Sequence, residues 1–172
     1  MEDFVTCPYC NGKEDFSSAF HAPGELPEEI ETCFACQDEG EVAKQDFIPI
    51  AKRDNEVICM YPFELPSKEG DVYMMLALDL FPDHLFRLGL EKANDIEQIL
   101  KNIKLLIKQT QFKPTKEDAT FTLVLHKYKE HRKDIEKLIK PYGGRLVIND
   151  SFLTHYFTPV MMHLTNSLIQ RS

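Results

Sequence analysis

Four cysteines are the residues best placed to do chemistry. They fall in two Cys-x-x-Cys pairs, Cys7-Pro8-Tyr9-Cys10 and Cys33-Phe34-Ala35-Cys36, with 22 residues between them. Zinc takes four ligands in a tetrahedron, and one tight turn supplies two of them when its backbone N–H groups point at the sulfurs. The residue after such a turn favours a left-handed backbone, which asparagine and glycine tolerate. Asn11-Gly12 meets that need at the first pair, whereas the second reaches a glycine only at Gly40. The expectation is one structural Zn2+ held by Cys7, Cys10, Cys33 and Cys36, with no open coordination position for catalysis.

Two other readings of the cysteines fit less well. A disulfide framework belongs to secreted chains, and this sequence opens Met-Glu-Asp with no apolar signal stretch. A thioredoxin-like redox pair sits between a strand and a helix and does not come twice. His21, beside Phe20 and near Pro23, reads as a loop histidine and not as a replacement ligand. The fifth cysteine, Cys59, lies in an apolar run and reads as a small buried hydrophobe.

Cys7-x-x-Cys10-x-Gly12 resembles half of the Cys-x-x-Cys-x-Gly-x-Gly repeat of the DnaJ-type cysteine-rich domain, and the two knuckles together resemble a zinc ribbon. The resemblance covers residues 5–42. It departs from the DnaJ pattern in having two repeats where that domain has four, no second glycine after Gly12, and no glycine two residues after Cys36. What it implies is structural zinc on the four cysteines; a chaperone activity does not carry over.

Three further groups of residues offer function. Lysine-rich segments over 101–140 include Lys129, Arg132, Lys133, Lys137 and Lys140, which could meet nucleic-acid phosphates, with Tyr128 or Tyr142 to stack on a base. Glu130, Asp134 and Glu136 are interleaved and could pair those charges away along the helix. Residues 1–50 hold twelve acidic and two basic side chains, net −10, while residues 101–145 carry net +7 in a chain of net −8. An acidic module suits a basic protein partner. Asp79, Asp83 and His84 follow an apolar strand and Asp150 follows the last strand, where carboxylates could hold magnesium for phosphoryl transfer or hydrolysis. No phosphate-cradling glycine loop, nucleophile elbow or His-Glu-x-x-His motif joins them. The sequence therefore leans to a binding and regulatory protein acting through its acidic zinc module. Nucleic-acid binding is the first alternative and a metal-dependent enzyme the second.

The elements that must position these groups follow from periodicity. A hydrophobic content of 43% over 172 residues fits a globular chain. No apolar run approaches the roughly 20 residues of a membrane span, and a cytoplasmic location is expected. The zinc module is expected over 1–48 and an α+β or α/β domain over 49–172, with a mixed sheet of four to six strands and about three helices. Phe47 to Phe63 reads as an extended hairpin, Val72 to Leu80 as a central strand, and Leu85 to Leu90 as a returning strand. Ile96, Ile99, Leu100, Ile103, Leu106 and Ile107 mark a helix over 94–109 capped by Asn94 or Asp95. A strand over 119–126, a helix over 129–140 and a strand over 145–149 predict a parallel pair joined by a crossover. A last helix is expected to begin at Thr158-Pro159.

Overall fold

The computed structural model describes residues 3–12, 33, 35–37, 39–65, 72–81, 84–91, 94–115 and 120–158. The chain divides into two compact units, residues 1–50 and 51–172. His21, Asp83 and the residues beyond Thr158, where the last helix is expected, lie outside the described residues.

The described residues of the first unit include one short two-stranded ribbon. Strand β1 (Phe4–Thr6) pairs antiparallel with β2 (Glu41–Ala43), Phe4 opposite Ala43 and Thr6 opposite Glu41. This ribbon brings the two ends of the cysteine-bearing stretch together. Tyr9 donates its hydroxyl hydrogen to the Pro49 carbonyl at 3.1 Å.

The body is a mixed five-stranded α+β sheet of strands β3 (Val57–Leu65), β4 (Val72–Asp79), β5 (His84–Glu91), β6 (Phe121–Leu125) and β7 (Gly144–Ile148). Its order is β5-β4-β3-β6-β7. Along its length β3 pairs antiparallel with β4, from Ile58 opposite Asp79 to Leu65 opposite Val72, and its first residues pair parallel with β6. The β6–β7 pair is parallel, with helix α2 (Arg132–Ile139) in the crossover, as the strand–helix–strand rhythm predicts. Helix α1 (Ile96–Gln109) links β5 to β6, and Asp95 caps it by accepting from the Gln98 N–H at 3.0 Å.

Strand alternation decides the layers. Ile58 and Met60 of β3, with Leu123 and Leu125 of β6, face the cluster formed with Ile103 and Leu106 of α1 and Ile135 and Ile139 of α2. Val57, Cys59, Val124 and Val147 point the other way and are also buried. On that second face the helix over residues 150–158, α3, buries Phe152, Leu153 and Phe157 completely, and Phe157 stacks on Tyr61 at 5.4 Å. A sheet covered on both faces explains why its inner strands read as near-continuous apolar runs. Burying each such Ile, Leu or Phe is worth about 1.5–3 kcal/mol.

One expectation changes. Phe47 to Ile50 forms no strand, so no hairpin runs from Phe47 to Phe63. Pro49 has no N–H for a ladder, and β3 takes its partners from β4 and β6 instead. Residues 150–158 are helical, a helix that the periodicity reading did not place. Asn149 caps it, its Oδ1 accepting from the Phe152 N–H at 2.9 Å. A polar seam that apolar periodicity does not reveal joins β5 to α1. Buried Glu91 accepts from Lys101 at 3.1 Å and from Asn102 at 3.2 Å.

Gly144 opens β7 where α2's last turn meets β6. A Cβ there would lie 2.5 Å from Phe121 Cζ and 2.8 Å from Ile139 Cβ. Gly144→Ala should therefore overpack the core and lower the body's stability by about 1–3 kcal/mol in urea unfolding. An unchanged midpoint would show that this corner relaxes freely.

Candidate metal centre and charged surfaces

Cys7, Cys10, Cys33 and Cys36 converge, all four sulfurs lying within 4.8 Å of one another and all four residues buried. Across the knuckles, Cys7 Sγ is 3.9 Å from Cys33 Sγ, and Cys10 Sγ is 3.6 Å from Cys36 Sγ. These are not disulfides, whose sulfurs are about 2.05 Å apart. A tetrahedron with zinc–sulfur bonds of about 2.3 Å has edges of about 3.8 Å. The cage therefore fits a tetrahedral metal ion before any ion is considered.

Local sequence shapes the cage. Asn11 and Gln37, each next after the second cysteine of its knuckle, both adopt left-handed backbone, with φ of 55° and 54°. The second knuckle thus uses Gln37 where glycine was the easier choice. Gly12 and Gly40 are left-handed too and lie against each other: a Cβ on Gly40 would sit 3.0 Å from the Gly12 carbonyl oxygen. Gly40 O in turn accepts from Cys7 N at 2.9 Å. That close backbone approach requires glycine at position 40, and at position 12 the left-handed φ of 74° favours it.

The N–H groups of Tyr9 and Cys10 point at the Cys7 sulfur, and those of Ala35 and Cys36 at the Cys33 sulfur. Gly12 N–H serves Cys10, and Gly40 N–H serves Cys36. The two knuckles are near copies in this respect. Burial nevertheless pushes the Cys7 and Cys33 thiols up, and takes Cys36 to about 11. Burial also raises Cys10, but the hydrogen bond with Cys36 and the Gly12 N–H outweigh it and leave Cys10 lowered. A cation at the centre would supply what the N–H groups do not, by drawing the remaining thiols into the thiolate form. Cys59 stands apart in β3, fully buried, its thiol raised by burial and then by Asp79.

The carboxylates sit differently. Asp79 is buried at the end of β4, beside the start of β3, and accepts from the Asn55 N–H at 2.7 Å and the Phe81 N–H at 3.2 Å. Burial raises its pKa, and those two N–H groups work against the rise. Asp79 thus ties two turns together. His84 lies opposite it on β5, exposed, its ring 4.5 Å from Phe86. Asp83 lies outside the described residues. Asp150 follows the carboxyl end of β7, whereas Asp79 lies by the amino end of β3, which runs parallel to β6 and β7. Asp79 and Asp150 are therefore at opposite ends of the sheet and form no common site.

The lysines resolve clearly. On α2 and its flanks Lys129, Lys133, Lys137 and Lys140 are exposed, and on α1 and just beyond it so are Lys104, Lys108 and Lys113. None of these seven has an ion-pair partner among the described residues. Of the interleaved acids, Glu136 pairs with Arg132 at 3.3 Å, while Glu130 and Asp134 lie 3.9 and 4.0 Å from the His131 ring, contacts that carry charge only when that ring is protonated. Arg132 also donates to the Leu146 carbonyl at 3.2 Å, so it is tied to the fold.

His126, just past β6, is a group the sequence did not single out. It packs against Tyr61 at 5.1 Å. Burial, then the Lys127 charge, holds its pKa down at about 4, with Asp150 pulling the other way.

No protein-family model matches the chain, and no curated protein matches it. Among solved structures, a chain of the simian T-cell lymphotropic virus intasome in complex with PP2A regulatory subunit B56 gamma is similar. The TM-score is 0.55 at 9% sequence identity, covering 74% of this chain and 45% of that one. The likeness is one of fold alone. This chain spans less than half the length of that one. No helix among the described residues is long and apolar enough to cross a membrane.

Two outcomes follow. Chelation of the metal, or Cys33→Ser, should disorder the first unit and leave the body's amide protection intact, because small thiolate modules draw folding free energy on the order of 10 kcal/mol from the ion. Unchanged protection over residues 3–12 after metal removal would contradict this. Second, His126 binds a proton less readily in the folded state than its ordinary value of 6.5. The unfolded chain then takes up more protons between pH 6.5 and about 4, so body stability should fall as pH drops through that window. His126→Gln should make that loss shallower; an identical slope would remove His126 as its source.

Proposed function

We propose that this chain is a zinc-stabilised nucleic-acid-binding protein. Zn2+ on Cys7, Cys10, Cys33 and Cys36 folds the first unit, and the lysines on the outer face of α1 and α2 hold a phosphate backbone. The observation that carries the reading is the set of seven exposed lysines with no ion-pair partner among the described residues, while Glu136, one of the acids interleaved with them, pairs with Arg132. A solvated, self-neutralised helix would pair its lysines along its own length. Residues 51–172 carry net +2 although the whole chain is −8. A thiolate zinc site also suits a reducing compartment such as the cytoplasm.

A second reading belongs to the first unit. Its net charge is −10, and its ribbon exposes Phe4 on the same face as Glu41. Such a surface suits a basic segment of a protein partner in a regulatory role. No catalytic step is proposed, since the described strand-end carboxylates, Asp79 and Asp150, do not converge.

Fluorescence anisotropy with labelled DNA tests the main reading. With about five phosphate contacts, affinity should fall roughly 10²–10³-fold between about 50 and 200 mM salt. Lys133→Glu with Lys137→Glu should weaken binding at low salt and flatten the salt slope by about 2. Absence of binding at low salt would overturn the reading.

A further inference from the structure

We infer that the lysine face selects double-stranded over single-stranded nucleic acid and reads no bases; this rests on the nucleic-acid reading above. Binding of single strands relies on aromatic rings that stack on unpaired bases. Tyr128 and Tyr142 are the rings whose place in the sequence suits that role. Tyr128 is buried, 7% exposed, with its hydroxyl 2.6 Å from Asn94 Oδ1. Tyr142 is half-buried and packed against the sheet core, and Phe112 stacks on Phe121 at 4.2 Å with the rings 14° from parallel. These three rings serve the fold and are not presented as a stacking platform.

What the face does present is charge in two rows. Lys104 and Lys108 stand one turn apart on α1, and Lys133 and Lys137 of α2 with Lys140 just past its end recur every three or four residues. Both helices pack on the same face of the sheet. Neighbouring helix axes lie about 8–10 Å apart. A duplex carries two phosphate backbones flanking a groove, the major groove being about 12 Å wide. One row can thus follow each backbone, whereas a single strand can follow one row. A duplex also offers the denser charge, one per roughly 1.7 Å of axis. Lysine ammonium groups act as point charges and lack the planar fork that reads a base edge. The same positions therefore give affinity without sequence preference.

The test compares a duplex of about 20 base pairs with a single strand of the same sequence by anisotropy in the same buffer. The duplex should bind about tenfold tighter or better, because both rows contribute counterion release. AT-rich and GC-rich duplexes should agree within about threefold, since phosphate contacts carry no sequence information. Lys104→Glu with Lys108→Glu, and separately Lys133→Glu with Lys137→Glu, should each remove most of the duplex advantage while leaving thermal unfolding unchanged. A single strand bound as tightly as the duplex, or an advantage that survives both pairs of substitutions, overturns the inference. Binding of neither form at low salt overturns the nucleic-acid reading itself, a distinguishable result.

Discussion

Four sulfurs held within 4.8 Å of one another form a strong constraint. As thiolates they would repel at every contact, and at about 4 Å in a partly buried site that repulsion is several kcal/mol per pair. As thiols they are electrically quiet but leave the backbone N–H groups aimed at weak acceptors. A divalent cation at the centre removes the conflict, because each sulfur then has a positive partner and each N–H a charged acceptor. The rest of the first unit follows from that geometry. Left-handed Asn11 and Gln37 turn the chain back after each knuckle, Gly12 and Gly40 allow the knuckles to approach, and the β1–β2 ribbon closes the two ends.

In the body the equivalent organiser is β3. It joins an antiparallel meander, β3-β4-β5, to a parallel pair, β6-β7, so the sheet changes character at one strand. That change fixes which residues can cooperate. Asp79 ends a strand running opposite to β3, and Asp150 follows a strand running with it, so the two lie at opposite ends. It also brings α1 and α2 to one face of the sheet, which aligns lysines from two separated segments on a common outer surface.

Sequence made the local features legible. The Cys-x-x-Cys spacing announced the cage because each knuckle is a single turn, and the α1 face and the β6–α2–β7 rhythm followed from side-chain period. Non-local choices were hidden. Nothing in Phe47-Ile48-Pro49-Ile50 says that β3 will take both its partners from later strands. The start of α3 is written locally, with Asn149 as its cap and Phe152, Leu153, Tyr156 and Phe157 as a helical repeat that precedes Pro159. The lysines show the limit of spacing rules. Glu130, Asp134 and Glu136 stand three or four residues from basic side chains on either side, and spacing alone does not say which they choose. Glu136 takes Arg132, the half-buried cation already anchored at Leu146, and so leaves the exposed lysines without it.

X-ray absorption at the zinc edge, on protein purified without added metal, tests the central claim most directly. The account predicts four sulfur neighbours at about 2.3 Å and no nitrogen or oxygen in the coordination shell. A shell containing a lighter ligand, or protein that carries no metal at all, would contradict it.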